Sequence, residues 1–294
     1  MAVELFGAVL FQLLNGCVWG LAIALIALGL ALIFGLTGVI NLAHGEFYML
    51  GAVSGWYLLS WTGSFWLAAA LAPFMVSLIG LGVQQMVLRR LSSSPAVTVL
   101  VTFGLSLILQ HGVLLAFGPS PRRLVAPLAA TVDVLGRSYP VYRFVVAGLA
   151  VAALTGVALF LRFTLFGLWM RAVHQDREMA LALGIPAQRV YLVTFGFGAG
   201  LAGLAGVLVA PIIGIEFRMG LDILPLAFMA VIVGGLGNLW GGVRVALLMG
   251  VLEGLLTVPL SPLMARVLTL STLFSLVLLR SPAEWRALLK GGAI

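Results

Sequence analysis

Apolar residues in this chain do not alternate with a polar face at a helical period; they run on for tens of positions at a time. From Leu5 to Gly45 there are 41 residues without a Lys, Arg, Asp or Glu. At about 1.5 Å per helical residue that run is roughly twice as long as a bilayer core is thick, so it predicts a spanning helix followed by a broken segment. Further charge-free runs cover Phe47–Leu88, Leu91–Pro121, Phe144–Leu161, Val190–Ile215 and Ile223–Val243. A span takes about 20 apolar residues, so the run from Phe47 to Leu88 predicts two helices turned near Trp61-Thr-Gly-Ser64. Two shorter spans near 245–260 and 263–279 complete the set. The fold expected is an all-α, polytopic membrane helix bundle of about eight or nine segments, some broken or re-entrant.

The breaks carry the polar groups. The first contains Gly35, Thr37, Gly38, Asn41, His44 and Gly45, and ends at Glu46. Irregular backbone at membrane depth is tolerated only where protein or a water-filled cavity surrounds it, which points to a transport pathway. A second Gly-rich piece near 222–240 looks similar. Asn41-Leu-Ala-His-Gly45 and Asn238-Leu-Trp-Gly-Gly242 each open on an Asn-Leu pair and reach glycine before an apolar helix resumes. Paired interruptions of this kind mark inverted repeats with the pathway between them. Helix N-termini after Gly45 and Gly242 would then turn partial positive charge toward an entering carboxylate. On this reading Asn41, His44, Glu46 and Asn238 belong to the substrate pathway. On the other, Asn41, His44 and Asn238 satisfy backbone groups freed by the glycines, and the sequence leaves both open.

Composition agrees with a membrane protein: 63% of residues are hydrophobic, 9% are charged and mean hydropathy is +1.21. A single transmembrane domain over residues 1–294 is expected, with no separate soluble unit. The start, Met-Ala-Val-Glu, lacks the basic region of a signal peptide, so an uncleaved chain in a bacterial inner membrane is expected. Cys17 has no partner for a disulfide and reads as a packing residue. The net charge of +7 comes from 15 Arg and one Lys scattered between apolar runs, which argues against a nucleic-acid partner. His44, His111 and His174 do not cluster as metal ligands, and no nucleophile sits beside a base, so an enzyme is disfavoured. No Gly-x-x-x-x-Gly-Lys-Ser/Thr loop occurs, and the one lysine, Lys290, stands in the tail. The chain is thus expected to bind no cofactor, and energy must come from another subunit or an ion gradient. Glu46 and Glu253 are the candidates for an ion-coupled secondary transporter or channel. Against that role, Glu253 stands near Arg244 and Glu216 near Arg218, as ordinary ion pairs would.

The longest polar stretch fixes the orientation. Placing residues 162–189 on the cytoplasmic side puts Arg89, Arg90, Arg244, Arg280, Arg286 and Lys290 there too, in agreement with the positive-inside rule. The loop over about 118–143 then faces outward. Within the polar stretch a short helix is expected, with Asp176 and Glu178 at its front and Gly184 and Pro186 at its end. Its second half, Met179-Ala-Leu-Ala-Leu183, is apolar between charged neighbours. That half either meets a protein partner or lies on the lipid surface.

Three stretches carry a family resemblance. Gly38-Val-Ile-Asn-Leu-Ala-His-Gly-Glu-Phe-Tyr-Met-Leu-Gly51, Arg171-Ala-Val-His-Gln-Asp-Arg-Glu178 with Leu183-Gly-Ile185, and Gly234-Gly-Leu-Gly-Asn-Leu-Trp-Gly241 resemble the signatures of branched-chain amino acid ABC transporter permeases. More narrowly, the chain is similar to the shorter, H-type Liv permease subunit, through nearly its whole length and in the right order. The resemblance implies an importer in which this chain pairs with a homologous permease. Two cytoplasmic ATPases, which hold ATP and Mg, would bind below, and a periplasmic binding protein would deliver substrate above. It also implies that residues 162–189 couple to the ATPase through Arg171, Gln175, Asp176, Arg177, Glu178, Leu181, Leu183 and Gly184. His174 departs from the family pattern, where a small residue is expected; it reads as a solvated histidine, with a pH-sensitive contact as the alternative.

The charge-free spans offer no clamp for a phosphate or dicarboxylate, which suits a small zwitterion with an apolar side chain. Branched-chain amino acids fit, and so do aromatic amino acids, small amides and urea. In the outer loop Arg122, Arg123, Arg137 and Arg143 are candidates for meeting an acidic rim on the binding protein, or form a solvated loop.

Overall fold

A computed structural model describes residues 2–91 and 95–279. Arg280, Arg286 and Lys290, counted above toward the basic side, lie outside the described residues. The elements run α1 (Ala2–Thr37), α2 (His44–Thr62), α3 (Phe65–Met86), α4 (Pro95–Phe117), a hairpin of β1 (Thr131–Val134) and β2 (Arg137–Pro140), then α5 (Val141–Phe163). They continue with α6 (Leu165–Gln175), α7 (Arg177–Ala182), α8 (Ala187–Ile213), α9 (Met219–Gly234), α10 (Leu239–Leu256) and α11 (Pro262–Leu278). Six of these helices, α1, α3, α4, α5, α8 and α10, are long and apolar enough to cross a membrane. The shorter α2, α9 and α11 pack among them, so the polytopic bundle expected from the sequence is the fold observed.

The bundle has a dry centre and an apolar rind. In α1 and α8, 83% and 72% of the most apolar window is buried, against 28% or less in α3, α4 and α5, so the first two form the axis. Leu100, Ile108 and Leu115 on α4 and Phe163 on α5 point outward, as lipid-facing residues do. Burial in lipid supplies little drive for helices to associate, so close backbone approach through small residues takes over. Helix α1 runs antiparallel to α10: Gly16 faces Gly250 and Gly20 faces Ala246. A Cβ at Gly250 would stand 2.3 Å from the Gly16 carbonyl oxygen, and one at Gly51 would stand 2.1 Å from that of Gly203 on α8.

The turn near Trp61-Thr-Gly-Ser64 forms as the sequence indicates, with Gly63 left-handed at φ 67° and Ser64 capping α3. Other boundaries differ. α1 is 36 residues long and passes through Gly35 to Thr37, so the first break spans Gly38–Ala43 and is shorter than its glycines suggest. α2 begins at His44 and α10 at Leu239, so both N-termini lie before Gly45 and Gly242 and not after them. The glycines there serve helix packing: a Cβ at Gly45 would lie 2.2 Å from Gly220 of α9, and one at Gly241 would lie 2.0 Å from Gly234. Both breaks are thereby fastened to α9. Because α10 starts early, Arg244 lies inside it and not between spans. The outer loop holds the two-stranded hairpin turned at Leu135 and Gly136.

If close approach holds the axis together, Gly250→Ala should destabilise the detergent-solubilised protein by about 1–3 kcal/mol through overpacking. Gly148→Ala, at a position with open space around it, should be neutral or slightly stabilising through helix propensity. Paired thermal melts check this; equal shifts would show that the contact contributes nothing.

Candidate functional site

The first break re-enters the bundle. His44 Nε2 lies 3.1 Å from the Ile26 carbonyl oxygen, eleven residues before the end of α1. The chain from Gly38 to Ala43 therefore climbs back about 16 Å into the bundle without helical hydrogen bonds of its own. Such backbone must find partners, because each orphaned buried group costs free energy. Thr37 accepts from Val39 N–H at 3.2 Å, and Asn41 Oδ1 accepts from Ala43 N–H at 3.0 Å. Thr102 of α4 accepts from Leu42 N–H at 3.2 Å, and its own hydroxyl stands 3.3 Å from the Ile40 carbonyl oxygen.

Helix α4 thus has a polar seam that its charge-free sequence hides. Thr98, Thr102, Ser106 and Gln110 recur every fourth residue and are all buried. One turn above Thr102, Ser106 donates to Glu46 Oε1 at 2.8 Å. Glu46 is fully buried, its second oxygen lies against Gly220, and no cation is within ion-pair distance among the described residues. Asn41 Nδ2, His44 Nδ1 and Glu46 Oε2 are buried without a hydrogen-bond partner.

Of the four pathway candidates, Asn41, His44 and Glu46 are fully buried, at the end of the break and the start of α2. Asn238 stands elsewhere, capping α10 through Gly241 N–H at 2.9 Å. The pairing expected for Glu253 forms with a different partner: Arg266 of α11 lies 3.2 Å away, while Arg244 bonds to its own helix at the Trp240 carbonyl. Glu216 and Arg218 make no ion pair; Arg218 lies over Phe217. Sequence distance misled here, since a helix hairpin brings residue 266 to 253 while residue 244 points to another face.

The coupling candidates form an arm at the opposite end from the hairpin. The short helix expected there forms as α7, started by Asp176, whose carboxylate accepts from Met179 N–H at 2.9 Å, and a second helix, α6, precedes it. Gly184, at φ 80°, stops α7, as its place in the sequence suggests. Met179, Leu181 and Leu183 are 58%, 47% and 73% exposed, so an apolar knob projects from the arm. Gln175, Arg177 and Glu178 surround it in the open, while Arg171 is turned back onto the Leu161 carbonyl oxygen.

His174 corrects the expectation of a solvated histidine. Its Nδ1 lies 2.6 Å from the Gly35 carbonyl oxygen near the end of α1. Its ring also packs where a Cβ on Gly237 would stand, 3.4 Å away, in the turn between α9 and α10. The arm is thereby tied at one residue to α1 and to the α9–α10 turn, a contact that a lone histidine in a polar loop does not advertise.

At the hairpin end the four arginines divide. Arg122 bonds to the Phe117 carbonyl at 2.7 Å and lies over Trp56 and Phe117, and its backbone pairs with Ile215. Arg143 bonds to Asn15 and lies over Tyr139. Both charges are engaged within the chain, which leaves Arg123 and Arg137 exposed.

The family model described as the branched-chain amino acid transport system / permease component matches residues 12–279. The chain belongs to this family. It is a multi-pass membrane permease component, not an enzyme. The high-affinity branched-chain amino acid transport system permease protein LivH of Salmonella typhimurium is 30% identical over 280 residues, covering 88% of this chain and 89% of its own. BraD, of the same description, from Pseudomonas aeruginosa is 31% identical over 266 residues, 82% of this chain and 84% of its own. Among solved structures, PsaBC from Streptococcus pneumoniae in complex with Fab superposes with a TM-score of 0.54 at 15% identity, covering 96% of this chain and 97% of that one. At that identity the likeness speaks for the fold alone.

If Thr102 braces the break, Thr102→Val should leave Leu42 N–H unpaired and destabilise the protein by about 1–3 kcal/mol. Thr102→Ser should lose much less. Thermal melts of both variants check it, and equal melting temperatures would remove the brace.

Proposed function

We propose that this chain is the permease subunit of an ABC importer that moves branched-chain or related small apolar amino acids across a bacterial inner membrane. It works with a homologous permease, a periplasmic binding protein at the hairpin end, and two ATPases that supply the energy and hold ATP and Mg. The observation that carries the reading is the arm of α6 and α7. An apolar knob of Met179, Leu181 and Leu183, ringed by Gln175, Arg177 and Glu178, offers a groove-filling anchor with charges to set its register. A lipid-surface helix gathers its apolar residues on one face, whereas the exposed Met179 and Leu181 stand about 200° apart around α7.

A tie at His174 makes the arm useful to transport. A push on α7 reaches α1 and the α9–α10 turn through contacts already formed. The family relatives' names supply the substrate class, and the apolar lining of the bundle supports it. Arg123 and Arg137, the two outer arginines left exposed, are the charges available to a binding protein.

Two substitutions test the arm in proteoliposomes holding this chain, its partner permease, the ATPases and the binding protein. Leu181→Asp should cut ATP-dependent leucine uptake by about ten-fold or more and release the ATPases on purification, as the loss of a docking anchor does. Uptake by this chain alone, driven by an ion gradient and indifferent to Leu181, would overturn the reading. His174→Ala should retain the ATPases and their ATP hydrolysis but lower the amount of leucine moved per ATP; an unchanged ratio would remove His174 from the coupling.

A further inference from the structure

A cavity of about 230 Å³ opens near the hairpin half of the bundle, between α1, α2, the end of α8, α9 and α11. It lies below the roughly 300–1,000 Å³ of drug-sized sites, which limits it to a small solute. One wall is apolar, formed by Trp19, Ile213, Met219 and Ile223. The others carry charge of both signs. Arg266 enters from α11, while Glu216 and Asp222 enter from the start of α9 and the turn before it.

The charged groups are arranged unevenly. Glu253 behind Arg266 has both oxygens engaged, one with Arg266 Nε at 3.2 Å and one with Trp19 Nε1 at 3.3 Å. That pair holds the guanidinium at Nε, over the Trp19 ring, and among the described residues no side chain bonds its terminal amino groups where Arg266 lines the cavity. Among the described residues, Glu216 and Asp222 have no side-chain partner. Tyr48 of α2 also lines the cavity; it is 1% exposed, and its hydroxyl is buried with no hydrogen-bond partner. A buried hydroxyl left unpaired and facing a cavity requires a ligand or water to complete it.

We infer that this cavity is a binding site for a free α-amino acid in its zwitterionic form, with the carboxylate on Arg266 and Tyr48, the ammonium on Asp222 and Glu216, and an aliphatic side chain against Trp19 and Ile223. The planar guanidinium, held at Nε, presents its outer amino groups to a carboxylate. The opposed acids reject molecules that lack an ammonium, and the small apolar wall rejects long polar side chains. The site rests on the importer reading for its substrate class and adds to it a place where the solute pauses within this chain.

The test uses the complete importer in nanodiscs without binding protein, carrying Cys17→Ser and Ile213→Cys in this chain. Maleimide labelling of residue 213, followed by mass on this chain, reports whether the cavity is filled. Millimolar leucine should slow labelling by about three-fold or more, as expected for a site about two-thirds filled or better. Isoamylamine, which lacks the carboxylate, and isocaproate, which lacks the ammonium, should not. Asp222→Asn, at a side chain with no partner, and Arg266→Lys, which keeps the charge beside Glu253, should each weaken the protection. Labelling equally indifferent to all three compounds would overturn the site, while ATP-coupled uptake that still depends on Leu181 would leave the importer reading standing. Protection by leucine without ATP-dependent uptake would instead sink the importer reading and keep the site. Protection by all three compounds would mean an apolar pocket without zwitterion recognition and would also overturn the proposal.

Discussion

Backbone without a helix cannot remain unpaired inside an apolar bundle, and most of what is particular to this protein follows from that constraint at Gly38–Ala43. The segment re-enters to the depth of Ile26, so its donors and acceptors have to be met by side chains. Thr37, Asn41 and Thr102 meet them, and this places α4 beside α2 even though α4 otherwise turns most of its surface outward. Ser106 on the same seam then reaches Glu46. The carboxyl group at the foot of α2 is held by the same helix that repairs the backbone below it.

Glycine contacts complete the arrangement. Gly45 meets Gly220 near the start of α9, and Gly241 meets Gly234 near its end. One helix therefore braces both interruptions of the chain, and the resemblance between the two Asn-Leu stretches has a spatial counterpart. The side chains of Asn41 and Asn238 do the same local work, each accepting a backbone N–H within three residues. Their likeness is a likeness of capping, and in the structure they stand at different depths.

Much of this was legible in the residues. Charge-free runs located the spans, Gly63 and Ser64 marked the α2–α3 turn, and Asp176 and Gly184 bounded α7, because each of these signals acts within a few residues of itself. What the residues concealed depends on the third dimension. Thr98, Thr102, Ser106 and Gln110 carry no charge and vanish inside an apolar run, although their spacing of four was there to be counted. Arg266 is farther than Arg244 from Glu253 along the chain but nearer in space, since α10 and α11 form a hairpin. His174 looked exposed because its loop is polar, and its partner at Gly35 is 139 residues away.

Two helices touch both the arm and the cavity, and this decides how a movement of one can reach the other. α1 carries Trp19 in the cavity wall and Gly35 at His174; α9 carries Met219 and Ile223 in the cavity and leads directly into the Gly235–Asn238 turn beside His174. Both make close backbone contacts through glycines, Gly16 and Gly20 on α1 and Gly220 and Gly234 on α9, and at those points no side chain stands between the helices to absorb a displacement. A movement of the arm transmitted to the end of α1 or to the α9–α10 turn must therefore shift whole helices, and the cavity, lying between those same helices, changes shape with them. Coupling of this kind needs no chain of side chains between the sites. It requires only that two of the helices lining the cavity, α1 and α9, end where His174 makes its contacts.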